Sequence, residues 1–306
     1  MRSFLVRTKC RAGLRLPILF VVGLAVALAS GSAKSEGNAL LWALQAPGAG
    51  TTSYLLGTMH VSDPRVLDVG GATREALTSS HTAVFEIITN DELATTLLSA
   101  IVYSDGRNLE TVLGPELFNK LKLVAQPYGL VPSVLKLMKP WALFTILSIP
   151  PEESFRQARG EPALDGWLQD LARRESVELM ALETYEEQLA VFEDTPEDVQ
   201  MAILRTVVEH KPEIEAQYEV MLQRYLDRDL EALFAVATGQ ENITSEALTR
   251  FNQRILHDRN NVMATRLLPL FHEGGYFVAI GAAHLAGEDG VLSQMRAEGF
   301  VVTPIE

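Results

Sequence analysis

The sequence predicts an α/β protein with a central mixed β-sheet and one large helical insertion. Three observations indicate this fold class: short apolar segments near the amino end, helical patterns from about residue 91 to 271, and a return to strand and helix after them. The 306 residues suffice for a sizeable core. Hydrophobic residues at 47% and charged residues at 21% are ordinary globular values, which argue against a disordered chain and a multi-span membrane protein.

The first 33 residues are set apart from the fold because they have the composition of a signal peptide. A basic leader ending at Arg15 precedes an uncharged run from Leu16 to Ala29, and small residues follow as far as Ala33. We therefore expect residues 1–33 to be a signal peptide and residues 34–306 to form a single domain. The protein is expected to be exported, to the periplasm if the cell is Gram-negative. Membrane association is expected only through an uncleaved signal segment.

Net charge and cysteine content restrict the chemistry. The formal net charge of −13 opposes nucleic-acid binding, which needs clustered Lys and Arg. The only cysteine, Cys10, lies in the leader, so the mature chain is expected to have no disulfide and no thiolate ligand. Any metal ion must then be held by histidine and carboxylate side chains.

The amino-terminal elements are predicted from apolar segments and the turn residues between them. Residues 40–45 and 54–58 are expected to pair as a hairpin around Pro47-Gly48-Ala49-Gly50. A helix is predicted over residues 73–80. A strand is predicted over residues 82–88, where β-branched and aromatic residues favour a sheet.

The remaining elements follow in the same way. Within the helical insertion, residues 177–182 form a short apolar run that indicates a further strand. Gly274-Gly275 ends the last helix of the insertion. A strand over residues 276–280, a helix near 289–298 and a strand over 300–305 complete the predicted sheet.

One motif occurs twice, each time directly after an apolar strand. Leu55-Leu56-Gly57-Thr58-Met59-His60 and Ala279-Ile280-Gly281-Ala282-Ala283-His284 both end in Gly-x-x-His. In open α/β sheets the carboxyl edge of the strands is where ligands bind, and two neutral imidazoles brought to one edge are natural metal ligands. The alternative is that each histidine only caps its loop by hydrogen bonding.

Acidic residues in or after other strands extend this candidate site. Glu86 is predicted to lie inside the apolar strand over residues 82–88, where a carboxylate must be paired, bind a cation or point to solvent. If that strand lies beside the His60 strand, the two histidines and the carboxylate come close together. Two histidines and one carboxylate are a recurring set of ligands in catalytic metal sites. Glu183 follows the strand over residues 177–182 and can reach the same edge.

Two further charged residues have competing interpretations. Asp165 is expected to cap the helix that follows it, or else to join the site. Arg259 falls on an apolar helix stripe, between Ile255 and Met263, which indicates either a partly buried charge with a carboxylate partner or a surface side chain.

Five segments together resemble a known family. They are residues 54–61 with the first Gly-x-x-His, Val84-Phe85-Glu86, residues 182–189 beginning Leu-Glu-Thr, Arg259-Asn260, and residues 277–285 with the second Gly-x-x-His. In order and spacing they resemble the TraB/GumN group, which includes the animal TIKI proteins. The resemblance implies an erythromycin esterase/ChaN-like fold. For the TIKI branch it implies a metal-dependent peptidase with its site at His60, His284 and Glu86.

Two classes of function follow. The leading hypothesis is an exported metal-dependent hydrolase of peptide or small ester bonds, in which His60, His284 and Glu86 hold Mn²⁺, Co²⁺ or Zn²⁺. Glu86 could instead serve as general base, and Glu183 or Arg259 could orient the site or stabilise an oxyanion. The alternative is a non-catalytic protein that sequesters a peptide, haem or metal.

Overall fold

The structure is a computed structural model that describes residues 38–48, 50–238 and 246–306. The predicted signal peptide, residues 1–33, lies outside these residues, as does Ala49 in the predicted hairpin turn. No helix of the described part is long and apolar enough to cross a bilayer.

A mixed six-stranded sheet forms the centre of the described chain, as the sequence predicted. Its spatial order is β4-β3-β5-β2-β1-β6. The strands β4, β3, β5 and β2 run parallel, and β1 is antiparallel to both of its neighbours. The strand bounds are β1 Leu41–Gln45, β2 Ser53–Thr58, β3 Thr82–Phe85, β4 Glu178–Ala181, β5 Tyr276–Gly281 and β6 Val301–Pro304.

Helices account for most of the remaining structure within the described residues. Thirteen of them, α3 to α15, lie between β3 and β5 in sequence, and β4 interrupts them. The helices are α1 Pro64–Leu67, α2 Gly71–Ser79, α3 Asp91–Ala100, α4 Leu109–Leu113, α5 Pro115–Ala125, α6 Pro132–Leu135, α7 Pro140–Leu147, α8 Pro151–Ala158, α9 Leu164–Arg174, α10 Tyr185–Glu193, α11 Glu197–Glu209, α12 Lys211–Leu226, α13 Leu230–Ala237, α14 Glu246–Asn252, α15 Arg259–Glu273 and α16 Val291–Ala297. Short 3-10 turns lie at Gln126–Tyr128 and Ala282–His284, and a π-helical segment, Gln253–Asp258, joins α14 to α15.

One strand prediction was wrong in detail, and one arrangement that the sequence left open is not found. The strand predicted over residues 82–88 ends at Phe85, so Glu86 is the first residue after β3 and not part of it. The Glu86 strand also does not lie beside the His60 strand, because β5 inserts between β3 and β2. The parallel pairing of β5 with both neighbours nevertheless brings the carboxyl ends of all three strands to one edge.

Two hydrophobic clusters form the core of the described residues. The larger one surrounds the sheet and includes the fully buried Leu55, Val84 and Ile280. The second lies among the helices and includes Trp141 and Phe251. Because β2, β3 and β5 are mainly apolar and buried except at Tyr54, they form a rigid base for the polar residues that follow them.

Candidate active site

Polar side chains follow four parallel strands at the same edge of the sheet. His60 lies two residues after β2, Glu86 directly after β3, Glu183 two residues after β4, and His284 three residues after β5. Arg259, the first residue of α15, reaches the same edge. The strand ends therefore bring together residues that are far apart in the sequence.

The glycine of each Gly-x-x-His motif allows a close approach. A Cβ atom on Gly57 would stand 3.0 Å from Cα of Ala282, in the turn that carries the second histidine. A Cβ atom on Gly281 would stand 3.3 Å from Oε1 of Glu86. Both distances are shorter than ordinary van der Waals contact, so each glycine lets a neighbour of the site pack against bare backbone.

His60 is paired with the carboxylate of Asp165. Its Nδ1 donates to Oδ2 of Asp165, and Oδ1 of the same carboxylate accepts a hydrogen bond of 2.8 Å from the hydroxyl of Thr58. Burial alone would lower the pKa of His60, but the charge and hydrogen bond of Asp165 outweigh it and raise that pKa to about 9. His60 is therefore protonated at neutral pH in this arrangement.

The guanidinium of Arg259 is the centre of a buried ionic network. Its Nη2 donates to Glu86 and Glu183 at 2.6 Å each, and its Nε donates to the other oxygen of Glu183 at 3.0 Å. Its Nη1 contacts Nε2 of His284 at 3.2 Å. The side chains of Arg259, Glu86 and Glu183 are only 11%, 7% and 3% exposed. Burial would lower the pKa of Arg259, but the two carboxylates raise it above its ordinary range.

Glu86 accepts hydrogen bonds on both of its oxygens. Oε1 accepts from the backbone N–H of Gly281 at 2.7 Å, and Oε2 accepts from Arg259 and from Nε2 of Gln188 at 3.1 Å. Burial would raise the pKa of Glu86, but the charge of Arg259, aided by the two histidines and the Gly281 N–H, holds it well below its usual value. Glu86 is thus ionised and, in this arrangement, a weak base.

The contacts of His284 define its tautomer. Oδ1 of Asn260 can only accept, so the 2.6 Å contact requires a proton on Nδ1 of His284. Nε2 then carries a lone pair, in keeping with its contact to the donor Arg259. Burial first, and the charge of Arg259 second, lower the pKa of His284 to about 3. His284 is therefore neutral, unlike His60.

These residues line one cavity of about 390 Å³ at the strand ends. His60, Glu86, Asp165, Arg259 and His284 all contribute to its wall. Apolar side chains from the helices complete the lining, among them Leu97, Leu189, Phe192 and Ile255. A largely apolar cavity with a few convergent charged groups is the usual form of a site for a small molecule or a peptide side chain.

The fit of a divalent metal ion to these residues is mixed. Imidazole and carboxylate groups are suitable ligands. Each histidine also has Nδ1 engaged by an outer oxygen, of Asp165 or of Asn260, as is common for metal-ligating histidines. Among the described residues, however, no three His, Cys, Asp or Glu side chains are gathered about one point. Glu86 and Nε2 of His284 face the Arg259 cation instead.

The sequence-predicted residues thus come to one edge, with roles that the sequence did not resolve. Arg259 is a buried charge with two carboxylate partners, and Glu183 is one of those partners. Asp165 does not cap α9, whose N-cap is Ala163; it binds His60 and Thr58 instead. The contribution of Gln188 was missed, and its only sequence signal is its place in the segment that begins at Leu182.

Comparison with known proteins adds to this geometry. A model of the TraB/PrgY/gumN family matches residues 40–304. The chain is 26% identical over 315 residues to the protein named metalloprotease TIKI2 of Danio rerio, an alignment that covers 87% of this chain and 60% of that protein. It is 25% identical over 319 residues to metalloprotease TIKI1 of Homo sapiens, covering 88% of this chain and 62% of that protein.

The chain therefore spans about three fifths of the length of these relatives. No solved structure matched, so the assignment to an erythromycin esterase/ChaN-like fold remains a prediction.

Proposed function

This chain belongs to the TraB/PrgY/gumN family, and from that premise we propose that it is a metal-dependent hydrolase of peptide or small ester bonds. The proposal rests mainly on one observation: the His60–Asp165 pair and the buried guanidinium of Arg259 line the same cavity. Both relatives are named metalloproteases, which supports peptide bonds as the substrate class.

The charged side chains have complementary tasks in such a reaction. Cleavage of an amide requires a proton for the leaving nitrogen and positive charge near the carbonyl oxygen, where negative charge develops. Without a bound ion His60, with a pKa of about 9, carries a proton at neutral pH, and this proton must leave Nε2 before His60 can hold a metal ion. Arg259 is a permanent cation at the cavity wall, and Glu183 keeps its guanidinium in place.

We propose His60, His284 and Glu86 as the residues that would hold the ion, and Mn²⁺, Co²⁺ and Zn²⁺ are the ions to test. When bound, such an ion makes a coordinated water more acidic and polarises a carbonyl group. Glu86 and Nε2 of His284 now contact Arg259. Binding of the ion at these atoms therefore requires Arg259 to release them, while Glu183 remains as its partner.

Calorimetric titration of metal-depleted protein with each ion tests the cofactor. We expect one ion to bind per chain, with binding lost in His284→Ala and retained in His210→Ala, a control at an exposed histidine. A mixture of peptides analysed by mass spectrometry then tests hydrolysis. Cleavage by the metal-depleted protein would show that the reaction needs no metal ion, and would contradict that part of the proposal. Binding without cleavage would favour a sequestering protein.

Export to the periplasm is part of the same proposal and rests on the composition of residues 1–33. Amino-terminal sequencing of the protein recovered from a periplasmic extract tests it. A chain that still begins at Met1 would contradict removal of the signal peptide.

A further inference from the structure

Helix α8 carries a buried carboxylate that takes no part in the cavity network. Glu153 is 0% exposed. Its Oε1 accepts from the backbone N–H of Ser62 at 2.6 Å and from Nε2 of Gln157 at 2.8 Å, and its Oε2 faces Nη2 of Arg156 at 3.0 Å. A carboxylate buried to this degree is tolerated only when it is paired and hydrogen-bonded. The position of the Ser62 backbone is therefore tied to α8.

Gln157, one turn further along α8, holds the same loop at a second point. Its Nε2 also donates to the backbone carbonyl of His60, at 3.2 Å. Its Oε1 has no hydrogen-bond partner among the described residues. A reversed amide would set this oxygen against the His60 carbonyl and the Glu153 carboxylate, which are both acceptors, so the two contacts define the orientation of the side chain.

The other side of the loop is held by the start of α9. The carbonyl of Val61 accepts from the backbone N–H of Leu164 at 3.1 Å, and the next residue is Asp165. The hydroxyl of Ser62 donates to the carbonyl of Glu161 at 3.0 Å. The backbone of residues 60–62 is thus clamped between α8 and the helix that carries the partner of the His60 side chain.

We propose that Glu153 and Gln157 are positioning residues that set the imidazole of His60 against Asp165. The inference depends on the proposed function in one respect: it assumes that His60 takes part in the reaction. An error of about 1 Å in a reacting group can reduce a rate by about 100-fold. Two anchors on either side of Val61 limit such an error by holding the backbone of residues 60–62.

Gln157→Met tests the inference, because methionine keeps the volume and removes both hydrogen bonds. The control is Gln200→Met. Gln200 is equally buried, at 7% exposed, and also donates to two acceptors, the carbonyls of Phe192 and Thr195, but it does not hold residues 60–62. Both variants should lose stability to a similar extent, and only the first should alter His60.

The readout that needs no substrate is modification of histidines by diethyl pyrocarbonate, followed by mass spectrometry. We expect His60 to react several-fold faster in Gln157→Met than in the wild type, with the exposed His210 as internal reference, and at the wild-type rate in Gln200→Met. Glu153→Gln, which keeps an oxygen acceptor for Ser62, should leave the His60 rate close to that of the wild type. Equal rates in Gln157→Met and the wild type would overturn the inference.

Two further measurements complete the test. If hydrolysis is found, kcat of Gln157→Met should fall by about 10- to 100-fold with KM nearly unchanged. If the wild type does not hydrolyse any peptide, the proposed function fails and the labelling rates still decide the positioning role. If Gln157→Met does not fold, hydrogen exchange of the Ser62 amide in the wild type tests the inference instead. Slow exchange supports the clamp on residues 60–62. Exchange as fast as in exposed loops overturns it.

Discussion

Replacement of Arg259 by methionine should cost far more stability than replacement of another arginine on the same helix. Arg259 pairs with Glu86 and Glu183, whose side chains are 7% and 3% exposed. Removing the cation leaves two buried carboxylates without their main counter-charge. Arg266 is a matched control on α15, because its pairing with Glu187 joins side chains that are 37% and 42% exposed.

The expected magnitudes follow from this difference in burial. Removing one partner of a buried ion pair costs about 3–5 kcal/mol. An exposed pair contributes about 0–1 kcal/mol, because solvent and salt screen it. We therefore expect Arg259→Met to lower the free energy of unfolding at pH 7 by at least about 2 kcal/mol more than Arg266→Met does.

The difference should also depend on pH. In the wild type the pKa of Glu86 is held below its unfolded value of 4.5, so its pairing stabilises the fold above pH 4.5, and this contribution is lost as the pH falls through the lowered pKa. In Arg259→Met, burial without the counter-charge should raise the pKa of Glu86 above 4.5. Glu86 then takes up a proton as the pH falls, and the gap between variant and wild type should narrow from pH 7 towards pH 5.

Urea unfolding followed by tryptophan fluorescence at pH 7 and pH 5 measures these quantities. Circular dichroism confirms that each variant is folded before the titration. The reasoning is refuted if the two variants are equally stable at pH 7. A gap between Arg259→Met and the wild type that widens towards pH 5 would refute the ionised state assigned to Glu86.

Three further outcomes are expected. Gly57→Ala should destabilise the protein by about 1–3 kcal/mol, because its Cβ would stand 3.0 Å from Cα of Ala282; a thermal midpoint equal to that of the wild type would contradict this packing. Tyr225→Phe should cost about 1–3 kcal/mol in urea unfolding, since its buried hydroxyl donates to the Gly57 carbonyl at 3.0 Å, which would be left unpaired. Asp165→Asn should lower the pKa of His60 from about 9 to below 6.5, because burial would then outweigh the remaining attractions; an NMR titration that still gives about 9 would exclude Asp165 as the cause.

The parts of the site that the sequence predicted are those encoded locally. Apolar strands followed by Gly-x-x-His indicated where His60 and His284 leave the sheet, and the antiparallel pairing of β1 with β2 was confirmed. Arg259 on an apolar helix stripe indicated either a partly buried charge with a carboxylate partner or a surface side chain, and the structure has the first of these. In each case a few neighbouring residues carry the signal, because strand periodicity and glycine act over short distances.

The parts that were not predicted depend on contacts between distant segments. Asp165 was expected to cap a helix, because its position near a helix start has that meaning locally, whereas its partner His60 lies 105 residues away. The place of β5 between β2 and β3 was not foreseen either, since strand order depends on how the long helical segment returns to the sheet.

The central position of β5 has a consequence for how the chain folds. β2 and β3 are complete by residue 85, yet the strand that pairs with both begins at Tyr276. During synthesis these two strands each have an unpaired edge until nearly the whole chain has been made, and such edges are prone to pair wrongly. Contacts across so many residues also slow folding. We expect chains truncated before β5 to aggregate, and the two histidines to come to the same edge only after β5 has paired with β2 and β3.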